Sequence, residues 1–497
     1  MNFNEFLQNV YNGEEISIDS RTLKENDIFV AIREAGHVHV AEAFKKGAKY
    51  AIVEERYMEY VDTFSGCFDE MIVVCDDSLS ALKSLGYHMR EISKESNDKK
   101  GDLKIIGITG SVGKTTTRTW LSNIIKGIEG EESVCSSEKN YNTIYGIPMS
   151  MARMNRETIY GIFEMGTNHK GEIKEVCDYV DPDITLITNI RESHIGMFHS
   201  YEELKNEKLS VIDSMREGTT LIFNGDCSNS LISEIKNRAR EKNIKTISVG
   251  FGSWNNVRIT YDYVDYEKNM TMVCIKIGDK NYSFWISAVG MNYTIMISQV
   301  VGVLYALGYD IDQFIDHFKR IRPLEGRGAI KRFEIERRDE DDNHNNDDDR
   351  YVNHREKIIT IIDDSYNSSP TSMEVSIENM NRRAEYYDEH NIKGIRKVCI
   401  MGEMGELGEF REMYHENIFE RLRGSRFDVV VYFGGEETRS LIERIVDNKN
   451  LVTFSKVDEK SIEKTIGLLE NRDIVLVKGS RSVGLDLIID SVRLRRI

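Results

Sequence analysis

What this 497-residue chain lacks narrows its class before any motif is read. Its seven cysteines stand singly, with no C-x-x-C pair. That excludes a zinc or disulfide framework, so the thiols read as reduced and cytosolic. No run of 18 or more apolar residues occurs, so no membrane span is expected. The opening stretch, MNFNEFLQNVYNGEEIS, has neither a basic region nor an apolar stretch of the kind a secretion leader carries. Positive charge is in deficit: 66 Lys and Arg stand against 83 Asp and Glu, a formal net charge of -17. A nucleic-acid partner is therefore disfavoured, because phosphate backbones are bound by surplus Lys and Arg. A cytoplasmic, monomeric protein of two to four domains is expected at this length.

The chain alternates strand-like and helix-like patterns, which predicts an α/β protein with mostly parallel sheets. Three domains are expected. Residues 1–100 hold short runs such as DIFVAI, YAIVEE and MIVVCDD, and the polar stretch 93–102 reads as a linker. Residues 101–321 open with the strand LKIIGIT and form a central domain of the phosphate-loop type. Residues 322–497 contain KIITIIDD, RKVCIMG, DVVVYFGG and DIVLVKG, apolar runs that suit the core strands of a Rossmann-like domain. An acidic insertion at 337–357 contains His344 and His354, and reads as a solvated loop between two strands rather than a metal site.

The strand LKIIGIT runs into TGSVGKTTTRTWL, residues 109–121, and then into a helix marked by Trp120, Leu121, Ile124, Ile125 and Ile128. Strand, glycine loop and helix together form the setting a phosphate loop requires. Backbone N–H groups of Gly110, Ser111, Gly113 and Thr116 can face phosphate at the helix start. Lys114 can reach the β- and γ-phosphates, and Thr115 can offer a hydroxyl to Mg²⁺. The first glycine of the full G-x-x-x-x-G-K-[ST] pattern is missing, since Ile108 stands there. No guanine-reading N-K-x-D motif is found either, the nearest string being NKNL. Glu164 follows a strand in FEMGTNHKGEI, His194 follows another in ITNIRESHIGMFHS, and Lys208 lies on the next helical stretch.

These segments together resemble the Mur ligase family, ATP-dependent amide-forming enzymes of cell-wall peptide synthesis. The resemblance covers nearly the whole chain. It includes ISIDSRTLKENDIFVAI (16–32), GMNYTIM (290–296), EGRG (325–328), DDSYNSSPTSM (363–373), MGEMGELGEF with the later His415, and VKGSRS (477–482). The D-D-S-Y-N-x-x-P and K-G-S-R forms point to the members that add D-alanyl-D-alanine to a UDP-linked muramoyl tripeptide. Proline supplies a check. Only four occur, Pro148, Pro182, Pro323 and Pro370, and none is left for the D-N-P-R motif of the members that add diaminopimelate or lysine.

The resemblance implies roles residue by residue. Lys114 holds phosphates, Thr115 and Glu164 hold one Mg²⁺, and His194 helps hold a second. Lys208 matches a lysine that this family usually carbamylates. Asn292, Arg327 and Asp364 match residues at the adenine and ribose of ATP. Ser20 and Arg21 match the UDP-sugar segment, while Asn142, Asn367, Lys478, Ser480 and Arg481 fall on the substrate side. The C-terminal domain is expected to close on ATP and the incoming D-amino-acid dipeptide. Two departures stand out: Met291 occupies the place of a family histidine, and EAGHVHVAEAF matches the usual D-G-H-D-F form only in part. Two alternatives are another ligase of the family, pseudomurein or paralogous, and a nucleotide-binding module without catalysis.

Overall fold

The computed structural model describes residues 1–62, 68–96, 102–138, 141–335, 357–446 and 450–494. The acidic insertion, except for Lys357, lies outside the described residues. Internal contacts divide the chain into two compact units. The first comprises Met1–Ile190, Lys205–Arg258 and Ile297–Ile311, and the second Arg191–Leu204, Ile259–Met296 and Asp312–Ile497.

The first unit contains a four-stranded parallel sheet of β1 (Ile16–Ser17), β2 (Ile28–Val30), β3 (Tyr50–Glu54) and β4 (Ile72–Cys75), in that order. Every residue of β2 is buried, as is typical of parallel strands covered on both faces. Helix Ser78–Ser96 packs beside it and buries Ala81, Leu82, Leu85 and Met89, the i, i+1, i+4, i+8 stripe of an amphipathic helix. This helix takes up residues 93–96 of the linker expected at 93–102, of which 97–101 lie outside the described residues. Ser93 sits fully buried in its last turn, where its hydroxyl donates to Met89 O at 2.9 Å and to Asn155 O at 2.7 Å.

A second parallel run follows in the same unit: β5 (Lys104–Thr109), β6 (Val134–Ser136), β7 (Tyr160–Glu164), β8 (Ile184–Ile187), β9 (Thr220–Asn224) and β10 (Lys245–Gly250). Their spatial order is β10-β9-β8-β5-β7-β6. The chain leaves β5 toward β6 and β7 on one side, then returns to build β8, β9 and β10 on the other. The point where that order reverses lies at the end of β5, the place where open α/β sheets bind ligands. Ile108 pairs with Glu164 of β7 and Leu186 of β8 and is fully buried. The absent loop glycine is thus a core strand residue, and the turn begins two residues later at Gly110.

In the second unit, β12 (Met270–Ile277) and β13 (Lys280–Ile286) form an antiparallel hairpin; β11 (Val257–Asp265) precedes it in the chain. β12 alternates strictly between buried and half-exposed positions, although its sequence MTMVCIKI, with Thr271 inward and Met270, Met272 and Cys274 outward, does not alternate in polarity. A further sheet contains β14 (Ala329–Ile335), β15 (Lys357–Asp364), β16 (Lys397–Gly402), β17 (Val429–Phe433), β18 (Leu451–Phe454) and β19 (Ile474–Lys478). Its order is β14-β15-β19-β16-β17-β18, parallel apart from the β14–β15 pair. No helix among the described residues is long and apolar enough to cross a membrane, and no disulfide joins the six described cysteines to one another.

Trp120 on helix Lys114–Glu129 is 1 % exposed and is among the largest buried side chains. Trp120→Ala should lower unfolding stability by about 3–5 kcal/mol. Urea unfolding followed by circular dichroism checks this, and an unchanged midpoint would contradict the packing described.

Candidate active site

The phosphate loop is shaped by two glycines with left-handed backbone, Gly110 at φ 133° and Gly113 at φ 88°. A Cβ on Gly110 would lie 2.2 Å from the hydroxyl of Thr188. The segment after β8 fastens the loop from outside. Asn189 O accepts from Ser111 N at 3.0 Å, Asn189 Oδ1 from Val112 N at 3.1 Å, and Val112 O from the Thr188 hydroxyl at 2.7 Å. Gln299, fully buried, donates to Thr188 O at 2.8 Å and fixes that segment in turn. Lys114 curls over the loop, its Nζ donating to Gly110 O at 2.7 Å and Ser111 O at 3.3 Å. Its positive charge therefore lies where phosphate would meet the helix N-terminus.

Three residues far apart in sequence converge beside the loop. Glu164, 3 % exposed at the end of β7, accepts from the Thr115 hydroxyl at 2.9 Å and from Asn142 Nδ2 at 3.0 Å. Arg118 Nε stands 3.9 Å from the same carboxylate. Hydroxyl and carboxylate oxygens suit a hard divalent cation, which takes few protein ligands and completes its shell with water and phosphate. Among the described residues no cluster of three or more His, Cys, Asp or Glu competes as a metal site. Asn142, expected on the substrate side, is bonded here to Glu164.

Lys208 lies in the first unit on helix Tyr201–Ser214 and is 2 % exposed. Its amine makes no hydrogen bond to a described residue. Burial, and then the nearby charge of Lys114, push its pKa from 10.5 to about 7, with Glu207 opposing the shift. A buried lysine in such a place holds its lone pair free near neutral pH. Glu207, which sequence reasoning passed over, is also buried and accepts from Thr167 Oγ1 at 3.0 Å, Gly171 N at 2.7 Å and Ile173 N at 2.9 Å. It fastens the loop that follows Glu164 to the helix that carries Lys208.

The second unit gathers another set. His194 has left-handed backbone, φ 63°, and its Nδ1 lies 2.7 Å from Glu406 Oε2. Gly196 N donates to Glu406 O at 2.9 Å, so the His194 loop is clasped by the MGEMGELGEF segment. That segment is itself held by Ser480, whose hydroxyl accepts from Gly405 N at 2.6 Å, and by His415. His415 is 1 % exposed, accepts from Met404 N at 3.1 Å through Nε2, and donates from Nδ1 to Arg411 O at 2.7 Å. Burial lowers its pKa, which keeps this structural imidazole neutral.

Asp364 and Lys478 are register partners on β15 and β19, and their side chains meet at 2.7 Å. Lys478 also donates to Asn367 O at 3.2 Å, and Asp364 accepts from Ser376 at 2.7 Å. Asn292 Oδ1 accepts from Asn379 at 3.2 Å. Arg327 stacks on the ring of Tyr366, its guanidinium carbon 4.1 Å from the centroid. Arg481 is exposed and paired with Asp486 at 2.8 Å. In the first unit, Ser20 is buried with its hydroxyl on Glu42 at 3.1 Å. Arg21 projects into solvent, 83 % exposed, and is clamped by Asp19, whose pKa its hydrogen bonds draw down to about 2. His37, in the partly matching EAGHVHVAEAF stretch, is fully buried and accepts from Glu54 N at 2.9 Å, a structural role.

Two family models match this chain: the Mur ligase middle domain over residues 108–296, and the Mur ligase, glutamate ligase domain over residues 350–481. The chain belongs to the Mur ligase family. The first match spans the phosphate loop, Glu164, His194, Lys208 and Asn292, and the second spans Asp364, Asn367, Lys478, Ser480 and Arg481. Over nearly its full length this Mur ligase resembles the UDP-N-acetylmuramoyl-tripeptide–D-alanyl-D-alanine ligase of Rickettsia prowazekii, at 28% identity with 97% of this chain and 96% of the relative covered. The enzyme of the same name from Bacillus subtilis is 26% identical, with 98% and 94% covered. Its three-domain fold is shared with MurF from Acinetobacter baumannii, at TM-score 0.75, 22% identity and coverage of 96% and 93%. It is shared too with MurF ligase from Thermotoga maritima solved in complex with ADP, at TM-score 0.73, 23% identity and coverage of 97% and 98%.

The buried Lys208 of this Mur ligase makes its stability depend on pH when the amine is unmodified. The unfolded state binds more protons than the native state between about pH 7 and 10.5, so stability rises with pH across that window. The penalty for burying the amine is full below about pH 7 and vanishes above 10.5. In CO₂-free buffer, the stability gap between Lys208→Met and the parent protein should narrow from pH 7 to pH 10. Parallel pH curves for the two would contradict the assignment of Lys208 as a buried, shifted amine.

Proposed function

We propose that this chain is an ATP-dependent ligase that adds D-alanyl-D-alanine to a UDP-N-acetylmuramoyl-tripeptide and forms ADP and phosphate. Two kinds of support converge. Relatives that share nearly its whole length bear the name of that activity. The observation that carries the chemistry is the phosphate loop with Lys114, Thr115 and Glu164 in mutual reach of one helix N-terminus. The protein is assigned to the cytoplasm as a monomer. Its domains are residues 1–100 for the UDP-sugar substrate, 101–321 for ATP, and 322–497 for the nucleoside and the incoming amine.

An amide does not form from a free carboxylate in water without activation. In the proposed reaction the carboxylate oxygen of the tripeptide attacks the γ-phosphorus, the bond to the β-phosphate oxygen breaks, and ADP leaves. The dipeptide amine then attacks the acyl carbon, loses its proton, and expels inorganic phosphate. Such transfers depend on positioning and charge neutralisation more than on covalent help from the protein. Lys114 and the loop N–H groups would hold the phosphates, and Gly110 keeps the backbone close enough for them to do so. Thr115 and Glu164 would hold Mg²⁺, with Asn142 orienting the carboxylate; when bound, the ion neutralises charge on the β- and γ-oxygens. His194 is assigned to a second Mg²⁺. In the second unit Asn292, Arg327 and Asp364 are assigned to the nucleoside side of ATP. Ser20 and Arg21 are assigned to the UDP sugar, and Asn367, Lys478, Ser480 and Arg481 to substrate.

Lys208 is assigned as a carbamate. Its neutral amine would form an N–C bond to CO₂ and release one proton, turning a buried neutral amine into a buried anion beside Lys114. That exchange removes the repulsion between two lysines and supplies oxygen ligands. Incubation with UDP-N-acetylmuramoyl-tripeptide, ATP, Mg²⁺ and D-Ala-D-Ala should release one phosphate per amide formed; no phosphate above background would overturn the proposal. Lys208→Ala should lower turnover by about 100-fold while ADP binding persists, and a short-chain carboxylic acid should restore part of the activity. Full turnover by the variant without added acid or bicarbonate would remove the carbamate from the account.

A further inference from the structure

The segment GMNYTIM departs from the family pattern by placing Met291 where a histidine is expected, yet Arg327 is held in one orientation. What holds it lies one residue beyond Asn292. Tyr293 is 6 % exposed, and its hydroxyl donates to the backbone carbonyl of Arg327 at 2.7 Å. The turn around Arg327 is built to admit that phenol. Gly326 and Gly328 both have left-handed backbone, φ 70° and 89°, and a Cβ on Gly328 would lie 1.9 Å from the Tyr293 hydroxyl. The same turn is tied to β15, with Gly326 N donating to Asp363 Oδ2 at 3.2 Å and Gly328 N to Asp363 O at 2.7 Å. Tyr366 N donates to Gly326 O at 2.9 Å, which brings its ring beneath the Arg327 guanidinium. Arg327 is thus aimed by its neighbours, with Tyr293 on its carbonyl and Tyr366 under its side chain.

We propose that Tyr293 is a positioning residue for nucleotide binding, acting through the Arg327 carbonyl to hold the guanidinium stacked on Tyr366 and aimed at the nucleoside. The inference rests on the reading of Arg327 as a nucleoside contact. Burial raises the pKa of the Tyr293 phenol, so it stays a donor throughout the working pH range. Asn292, the adjacent residue, faces Asn379, so one short stretch of chain serves two partners: its amide side chain on one and its neighbouring phenol on the other.

Tyr293→Phe removes only the hydroxyl and leaves the Arg327 carbonyl without its donor. In the full-length protein, calorimetric titration with ADP should show Kd raised about tenfold, the scale of one lost hydrogen bond to a buried acceptor. The KM for the UDP-linked substrate should stay within about twofold, with kcat retained. A purely structural residue would instead lower Tm and worsen every parameter together, and that outcome would overturn the proposal. Arg327→Ala provides the second arm. If Tyr293 works through Arg327, adding Tyr293→Phe to Arg327→Ala should cause no further loss of ADP affinity, whereas additive losses would overturn it. Parent protein that binds ADP as tightly as Tyr293→Phe overturns this inference alone. Parent protein that binds no ADP at all overturns the nucleotide assignment as well.

Discussion

A lysine amine buried near a second lysine is unstable as a pair of cations, and the first unit is organised around that conflict. Under the proposed function Lys114 serves phosphate as a cation, and its Nζ donates to two loop carbonyls. Lys208 has no such support, so burial and the neighbouring charge drive it toward the neutral amine. Glu207 does not relieve this by capturing Lys208. Its oxygens are taken by three donors of the 167–173 loop. The helix carrying Lys208 is thereby anchored while the amine is left available for chemistry. A purely structural lysine would gain nothing from such an arrangement, because an unpaired buried amine costs stability without a compensating contact.

The second unit solves a different problem, that of holding polar side chains in fixed directions on loops. It does so with paired elements. Asp364 and Lys478 neutralise each other across neighbouring strand ends. Glu406 meets His194 while its own carbonyl takes Gly196 N. Buried, neutral His415 bridges Met404 and Arg411 and so stiffens the segment that bears Glu406. In each case a charged or polar side chain that could serve a ligand is backed by a second residue that limits its freedom, which lowers the entropy lost on binding.

Much of this was legible in the sequence, and the parts that were not share a cause. The phosphate loop could be read because its short motif has a chemical reason for its residue types, whereas the roles of Glu164 and Lys208 came from the family resemblance. Ile108, an anomaly in the loop pattern, became intelligible only with strand pairing: a residue flanked on both sides by β7 and β8 belongs to the core. Tyr293, Asn189 and Glu207 escaped sequence reading because their partners are distant in the chain. Tyr293 meets Arg327, and Asn189 meets Val112, across 34 and 77 residues. The 93–102 stretch looked like a linker because it is polar, but Ser93 lies on the buried side of a helix end, where hydroxyl bonds to two carbonyls outweigh local composition. The β12–β13 hairpin was not legible because Met270, Met272 and Cys274 on the outer face of β12, and Thr271 on its inner face, erase the polar–apolar alternation of a half-buried strand.

The central claim is that the loop, its magnesium oxygens and Lys208 serve to activate a carboxylate by phosphorylation. Oxygen tracing tests it most directly. The UDP-linked tripeptide is labelled with ¹⁸O in the reacting carboxylate and turned over with ATP, Mg²⁺ and D-Ala-D-Ala. Activation through an acyl phosphate predicts one labelled oxygen in each inorganic phosphate released, as seen by mass spectrometry. Unlabelled phosphate formed alongside the amide product would contradict the account.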